Sequence, residues 1–218
     1  MNVVAASLGI RSRPEQFLEA LKASLHRKIP LPIIERRCLQ VGDLYGFIFG
    51  NGLLANFLEE YYARGRYGVW RALGIVLRVL ISVLTTRRFA RRLFRRFQGR
   101  LIVDGSALVQ TDLTGIGVAT VSEVGFRMKL HHRADDDPTR MGVLAILGGP
   151  LSLLLDILDV RLGRGLSPKR AKSFVASQVR IEPYDAEGLF TMDGDLYPSH
   201  GPLTIHLGPM LRILKPDS

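Results

Sequence analysis

The sequence predicts an α+β chain that is mainly β: an antiparallel β-sandwich with helices inserted near residues 53–97 and 150–162, and one more helix near the N-terminus. Three observations carry this. From residue 99 onward, short apolar or alternating segments recur between turn formers such as Asp104-Gly105, Thr114-Gly115 and Asp137-Pro138. Apolar spacing of three and four residues is confined to a few stretches, most of them before residue 98. The 218 residues are 47% hydrophobic and 23% charged, with a single cysteine, Cys38. A chain of this length buries a core without disulfides, and one cysteine leaves no Cys-based zinc site.

Each element has a local reason. Over 14–27, Pro14 suits a first helical turn, Glu15 suits the positive end of the helix, and Phe17, Leu18, Leu21 and Leu25 share a face. Pro30 and Pro32 end it. Residues 33–41 and 45–49 read as two strands joined by Gly42-Asp43. Residues 53–64 have helical spacing. Residues 69–84 form an apolar helix with a narrow polar stripe of Arg71, Gly74, Arg78, Ser82 and Thr85. Arg71 and Arg78 interrupt it, so it is not a membrane span. After Thr85-Thr86 comes a cationic amphipathic helix, 87–97, with Arg87, Arg88, Arg91, Arg92, Arg95 and Arg96 on one side and apolar residues on the other. Strands follow at 101–103, 108–110, 116–121, 126–130 and 143–147, then a helix at 150–162. Strands at 175–181, 189–192, 203–207 and 211–214 complete the order. The sequence contains no internal repeat.

The net charge is +10, and 24 of the 30 basic residues are arginine. Eleven arginines and no acidic residue fall between Tyr61 and Val103. Permanently charged planar guanidinium groups suit phosphate-bearing partners: nucleotides, nucleic acid or anionic lipid. No signal peptide opens the chain, so the expected place is the cytoplasm, with contact at the inner membrane surface.

Several patterns compete as sites. Asp193-Gly194-Asp195 is first of all a hairpin turn by its residue types; the second reading is a positioned carboxylate able to accept a proton from a hydroxyl or to help hold Mg²⁺. Asp104-Gly105 repeats the pattern. Residues 134–138 suit a solvated loop better than a hard-metal site. His131 and His132 point apart if they lie on a strand. Gly115-Ile116-Gly117 lacks the third glycine and the following helix of a dinucleotide loop. The 87–97 helix has three readings: a solvated face on its own domain, an anionic membrane surface, or nucleic acid. Nucleic acid ranks last because no recognisable module accompanies the charge.

The opening Met1-Asn2-Val3-Val4-Ala5-Ala6-Ser7-Leu8-Gly9-Ile10, the stretch 42–52 with Phe49 and Gly52, and Met192-Asp193-Gly194-Asp195 after an alternating strand at 171–181 stand in a shared order. In that order they resemble the diacylglycerol kinase-like lipid kinases, which include the sphingosine kinases. The opening resembles the family segment Gly-Thr-x-Asn-x-x-Ala-x-x-Leu-Gly, entered partway, and Leu203-Thr204-Ile205 and 211–214 also fit. The resemblance implies two family domains: an N-terminal one that binds ATP through Gly-Gly-Asp-Gly-Thr, and a C-terminal β-sandwich that receives the lipid. Gly-Gly-Asp-Gly-Thr does not occur here. The expected division is therefore 1–30 as the tail of the nucleotide-binding domain and 31–218 as the sandwich.

The resemblance further implies ATP and Mg²⁺ as cofactors and a diacylglycerol-like or sphingoid lipid as substrate. It places Asp193 as the base for the lipid hydroxyl, Asn2 on the nucleotide side, and Asp195 where the family has a Glu linked to Mg²⁺ or nucleotide. Phosphoryl transfer needs cradled phosphates, a bridging metal and an in-line nucleophile. The expectation is therefore the lipid-facing half of an ATP-dependent lipid kinase, inactive alone: either a truncated or mis-started product, or one half of a split enzyme completed by a separate ATP-binding chain or a second copy. The alternatives are a peripheral membrane-binding domain using the six arginines of 87–97, and a nucleic-acid-binding β-domain. Leu8, Ile10, Phe17 and Leu21 are expected to be under-packed without the other domain.

Overall fold

The structure is a computed structural model. It describes residues 4, 5, 8, 10, 13–28, 30, 32–63, 65, 68–108, 112–121, 137, 139–150, 152, 167, 169–183 and 187–215. In chain order the elements are α1 (Pro14–Arg27), β1 (Ile33–Val41), β2 (Leu44–Gly46), β3 (Ile48–Gly52), α2 (Leu53–Tyr62), α3 (Val69–Leu84), α4 (Arg88–Leu93) and β4 (Gly99–Val103). They continue as β5 (Ser106–Leu108), β6 (Gly115–Ala119), β7 (Met141–Ile146), β8 (Ala171–Ala176), β9 (Gln178–Pro183), β10 (Glu187–Met192), β11 (Asp195–His200) and β12 (Leu203–Leu214).

Among the described residues, the strands form two six-stranded sheets, ordered β2-β1-β12-β9-β4-β5 and β11-β10-β3-β6-β7-β8, and the pairings are antiparallel. The predicted α+β, mainly β sandwich is the observed architecture. Adding six to each label of the first order, modulo twelve, reproduces the second sheet read backwards. The topology is thus repeated even though the sequence is not. Single residues carry the chain between sheets at two matching places: Phe47 between β2 and β3, and Ser177 between β8 and β9.

The core lies between the sheets. Phe49, Leu39, Leu101, Ile116, Ile181 and Ile205 are fully buried there, and the Phe49 and Phe190 rings stack at 5.6 Å. Burying side chains of this size stabilises the fold by about 1.5–3 kcal/mol each. A second cluster joins α3 to α4 through Ile75, Val79, Val83, Ala90 and Leu93. Gly52 turns β3 into α2 at φ +63, where a Cβ would meet the Thr114 carbonyl at 2.5 Å. Only glycine satisfies both demands there.

The structure departs from the sequence reading at several points. The 87–97 helix is only the six residues Arg88–Leu93. Phe97 has joined an isolated antiparallel bridge with Leu113, and those backbone bonds compete with helix continuation. The stretch 171–181 is not one strand: it breaks at Ser177, and its halves belong to different sheets. Conversely, 203–207 and 211–214 are parts of one long strand, β12. Residues 45–49 divide at Phe47 for the same reason as 171–181. Strand β11 is absent from the expected strands, and it contains Pro198. Proline is tolerated there because β11 is at a sheet edge. Leu8 is buried rather than under-packed, whereas Ile10, Phe17 and Leu21 are half-buried. The expected strand at 126–130 and helix at 150–162 lie outside the described residues, apart from Pro150 and Ser152.

Candidate functional site

Strands β10 and β11 pair from Glu187↔His200 to Met192↔Asp195, leaving Asp193-Gly194 as a two-residue turn. Both residues have positive φ, +52 and +102, the conformation Asp tolerates and Gly prefers in tight hairpins. The turn is tied to the sheet crossing at Phe47. Asp193 Oδ1 accepts from the Phe47 amide at 2.9 Å and the Ile48 amide at 2.8 Å, and Oδ2 lies 3.1 Å from the Phe47 amide. In return, the Asp193 amide donates to the Ile48 carbonyl at 2.8 Å. The chain leaves one sheet at this point, so the Phe47 and Ile48 amides lack a ladder partner on that side, and the carboxylate supplies one. Tyr62, at the end of α2, donates its hydroxyl to the Gly194 carbonyl at 3.0 Å.

The Asp193 residue surface is exposed, yet its carboxylate is packed against backbone. Desolvation raises its pKa above the ordinary carboxylate value. Donation from Phe47 and Ile48 pulls the other way, and the Asp195 charge pushes it up further. An immobilised carboxylate with a raised pKa is chemically suited to accept a proton. Asp195 is exposed as the first residue of β11.

Val4 and Ile10 pack on the cluster of Leu8, Ala119 and Val121, and so do Phe47 and Ile48, whose amides hold Asp193. The N-terminal segment and the Asp193 hairpin therefore share one region of the sandwich. Asn2 itself lies outside the described residues, as do His131, His132 and residues 134–136. Among the described residues, no group of three His, Cys, Asp or Glu side chains could hold a metal ion. Asp193 and Asp195 are two carboxylates, and a Mg²⁺ ion held through one or two carboxylates takes its remaining oxygens from substrate phosphates and water.

Arg87, Arg88, Arg91, Arg92, Arg95 and Arg96 are exposed. Arg96 forms an ion pair with Asp112. The apolar residues between them face their own domain: Ala90 and Leu93 are buried, and Phe89 and Phe94 pack on the same cluster. The arginines and Asp193 are separate features of the molecule, carried by different elements.

Sequence reasoning missed the partners of Asp193. Phe47 and Ile48 act through backbone amides, which leave no side-chain signature. Gly46 does leave one. A Cβ at Gly46 would meet Met192 Cγ at 2.5 Å and Asp193 Oδ2 at 2.8 Å, so glycine alone lets the hairpin approach.

No protein-family model matches the chain, and no curated protein matches its sequence. Solved structures from Bacillus anthracis str. Sterne share its fold. One, of a diacylglycerol kinase, is 13% identical with a TM-score of 0.55, covering 99% of this chain and 61% of that one. Two more, of proteins assigned as diacylglycerol kinases, are 15% and 14% identical with TM-scores of 0.64, each covering 95% of this chain. The chain spans 62% and 63% of their lengths. At such identities the likeness is one of fold alone.

Proposed function

We propose that this chain is the lipid-facing part of a diacylglycerol kinase-like enzyme, which transfers the ATP γ-phosphate to a lipid hydroxyl. Asp193 is the proton acceptor for that hydroxyl, and Asn2 and Asp195 lie on the nucleotide side. ATP with Mg²⁺ supplies the phosphoryl group and its charge neutralisation from a part of the enzyme that these 218 residues do not contain. The observation that carries the reading is the Asp193 carboxylate. It is fixed by two amides and desolvated, and the residues that hold it, Phe47 and Ile48, pack on the same cluster as Val4 and Ile10 of the N-terminal segment that carries the other half of the motif resemblance. The shared fold with diacylglycerol kinase structures supports it.

Chemically, Asp193 acts on the nucleophile. The amides of Phe47 and Ile48 hold the carboxylate at one position, and Oδ2 keeps lone-pair capacity for the hydroxyl proton. The raised pKa brings its proton affinity closer to the task. Positioning and charge stabilisation remain to be supplied by the nucleotide-binding part.

The test mixes purified chain with vesicles carrying diacylglycerol or sphingosine, ATP and Mg²⁺. No phosphorylated lipid is expected. Extended upstream by its native reading frame to include an ATP-binding domain, the protein is expected to phosphorylate one of these lipids. Asp193→Asn in that form should lower kcat by about 10²–10⁴. Lipid phosphorylation by the 218 residues alone overturns the division. An inactive extended protein, or unchanged kcat in Asp193→Asn, overturns the assigned reaction or base.

A further inference from the structure

Helix α3 presents apolar residues on two opposite faces. Ala72, Ile75, Val79 and Val83 are buried toward the protein. Trp70, Leu73, Leu77, Leu80, Ile81 and Leu84 are exposed, Trp70 at 85% and Leu84 at 82%. At about 100° per residue these six occupy an arc of roughly 100°, opposite the buried set. The stripe is continuous along the helix, and nothing described in the chain covers it. Arg71 and Arg78 lie on one flank and are turned toward α2, where both reach Glu60. Arg78 also lies over the Phe89 ring, 4.0 Å from its centroid.

A cationic surface adjoins this stripe. Arg87, Arg88, Arg91 and Arg92 are exposed on and before α4, which packs against the inner face of α3. Between the two helices runs an open groove of about 430 Å³, lined by Arg88, Arg92, Thr85 and Thr86 and by Ile81 of the stripe. The apolar band therefore runs directly into a groove edged with guanidinium groups and hydroxyls. Among the described residues, no acidic one lines that groove.

We propose that α3 lies flat in the interfacial layer of an anionic lipid bilayer. Its Trp70–Leu84 stripe enters the acyl boundary, and Arg88 and Arg92 bind lipid phosphates at the groove beside it. Sixteen residues of helix are about 24 Å long, shorter than a hydrocarbon core of about 30 Å, so the helix rests in the interface rather than crossing it. Among the described residues, no helix is long and apolar enough to span a membrane. Trp70 at one end suits the headgroup boundary, where indole rings collect. The arginines are complementary to anionic headgroups, and each basic residue near such a surface adds to binding. Nucleic acid would use the charge but leave six apolar side chains in water. The proposal moves the inserting element from the 87–97 segment, whose phenylalanines face the protein, to α3.

Trp70 is the only tryptophan in the chain, so it is a built-in probe. Its emission is measured while the protein is titrated with vesicles of phosphatidylcholine, alone or mixed with phosphatidylserine. A blue shift is expected with the anionic vesicles, with quenching when bromine is placed on the upper acyl chain. Leu77→Gln with Ile81→Gln, both at exposed positions, should weaken vesicle binding at least tenfold while the unfolding midpoint stays unchanged. Arg88→Gln with Arg92→Gln should weaken binding to phosphatidylserine vesicles and flatten its salt dependence. Emission unmoved by either vesicle overturns the proposal. So does a blue shift without lipid that grows with protein concentration, which would show the stripe covered by a second copy. Tight binding to a naked oligonucleotide with no vesicle binding also overturns it. No kinase activity enters the readout, so this test fails or succeeds separately from the proposed reaction.

Discussion

At Asp104 and at Asp193 the same set of hydrogen bonds ties a two-residue turn to a sheet crossing. Asp104 Oδ1 accepts from the Ser177 and Gln178 amides at 2.8 and 2.9 Å, and its own amide donates to the Gln178 carbonyl at 3.0 Å. Asp193 makes the corresponding bonds to Phe47 and Ile48. Both aspartates have positive φ and both are followed by glycine. The two sites occupy equivalent positions in the repeated topology. Their surroundings differ. Ser177 and Gln178 are exposed, and Arg140 lies 3.6 Å from Asp104. Phe47 and Ile48 are half-buried, pack beside the N-terminal segment, and hold a carboxylate whose charged neighbour is Asp195. The clamp is therefore a structural device used twice, and hydrogen-bond geometry by itself does not mark a catalytic carboxylate. The distinguishing property is what surrounds the clamp.

The largest expected effect separates the two clamps by their access to water. Asp193→Ala leaves two half-buried amides without an acceptor and should cost about 1–3 kcal/mol in denaturant unfolding. Asp104→Ala exposes its amides to water, which replaces the carboxylate, and should cost less than about 1 kcal/mol. Equal losses would show that burial does not distinguish the sites.

Smaller, and expected to be alike at both sites, is the effect on the turns. Gly194→Ala and Gly105→Ala each force a side chain to adopt positive φ, at a cost of about 1 kcal/mol. The Cβ at 194 would meet Tyr62 Oη at an ordinary 3.6 Å, and at 105 it would meet nothing, so no clash adds to either. A much larger loss at Gly194 in thermal unfolding would reveal a constraint on that hairpin beyond its backbone.

The smallest effect is electrostatic. Folding raises the Asp193 pKa, so the folded state holds this proton more tightly than the unfolded chain. Its contribution is then present in full below the ordinary carboxylate pKa and is lost as pH rises through the folded value. Wild-type stability minus that of Asp193→Asn should therefore decline with rising pH across this window, measured by urea unfolding. A difference that instead grows with pH would mean that the Phe47 and Ile48 amides outweigh desolvation.

Much of the architecture was legible in the sequence because it rests on local rules. Helix α1 was readable from Pro14 and its apolar spacing, and α3 from the Thr85-Thr86 break; both match the structure at their ends. The Asp-Gly turns were legible from two residue types. The fates of 45–49 and 171–181 were not, because an apolar strand looks alike on either sheet and the change of sheet takes a single residue. The length of the 87–97 helix was also hidden, since Phe97 fits an amphipathic wheel as well as it fits a bridge to Leu113. Asp193 was legible as a candidate, but the amides that hold it were not.

Composition, turn chemistry and periodicity alone determined a mainly β sandwich with inserted helices, a cationic region at 61–103, and a carboxylate at a hairpin tip. These depend on neighbours within a few residues. Only the tertiary structure decided that the sandwich repeats its topology, that Asp104 and Asp193 clamp matching crossings, and that the outer face of α3 carries the exposed apolar stripe. Those facts depend on which of two apolar faces is buried and which distant amides lack a partner. Both are settled by contacts between segments far apart in the chain.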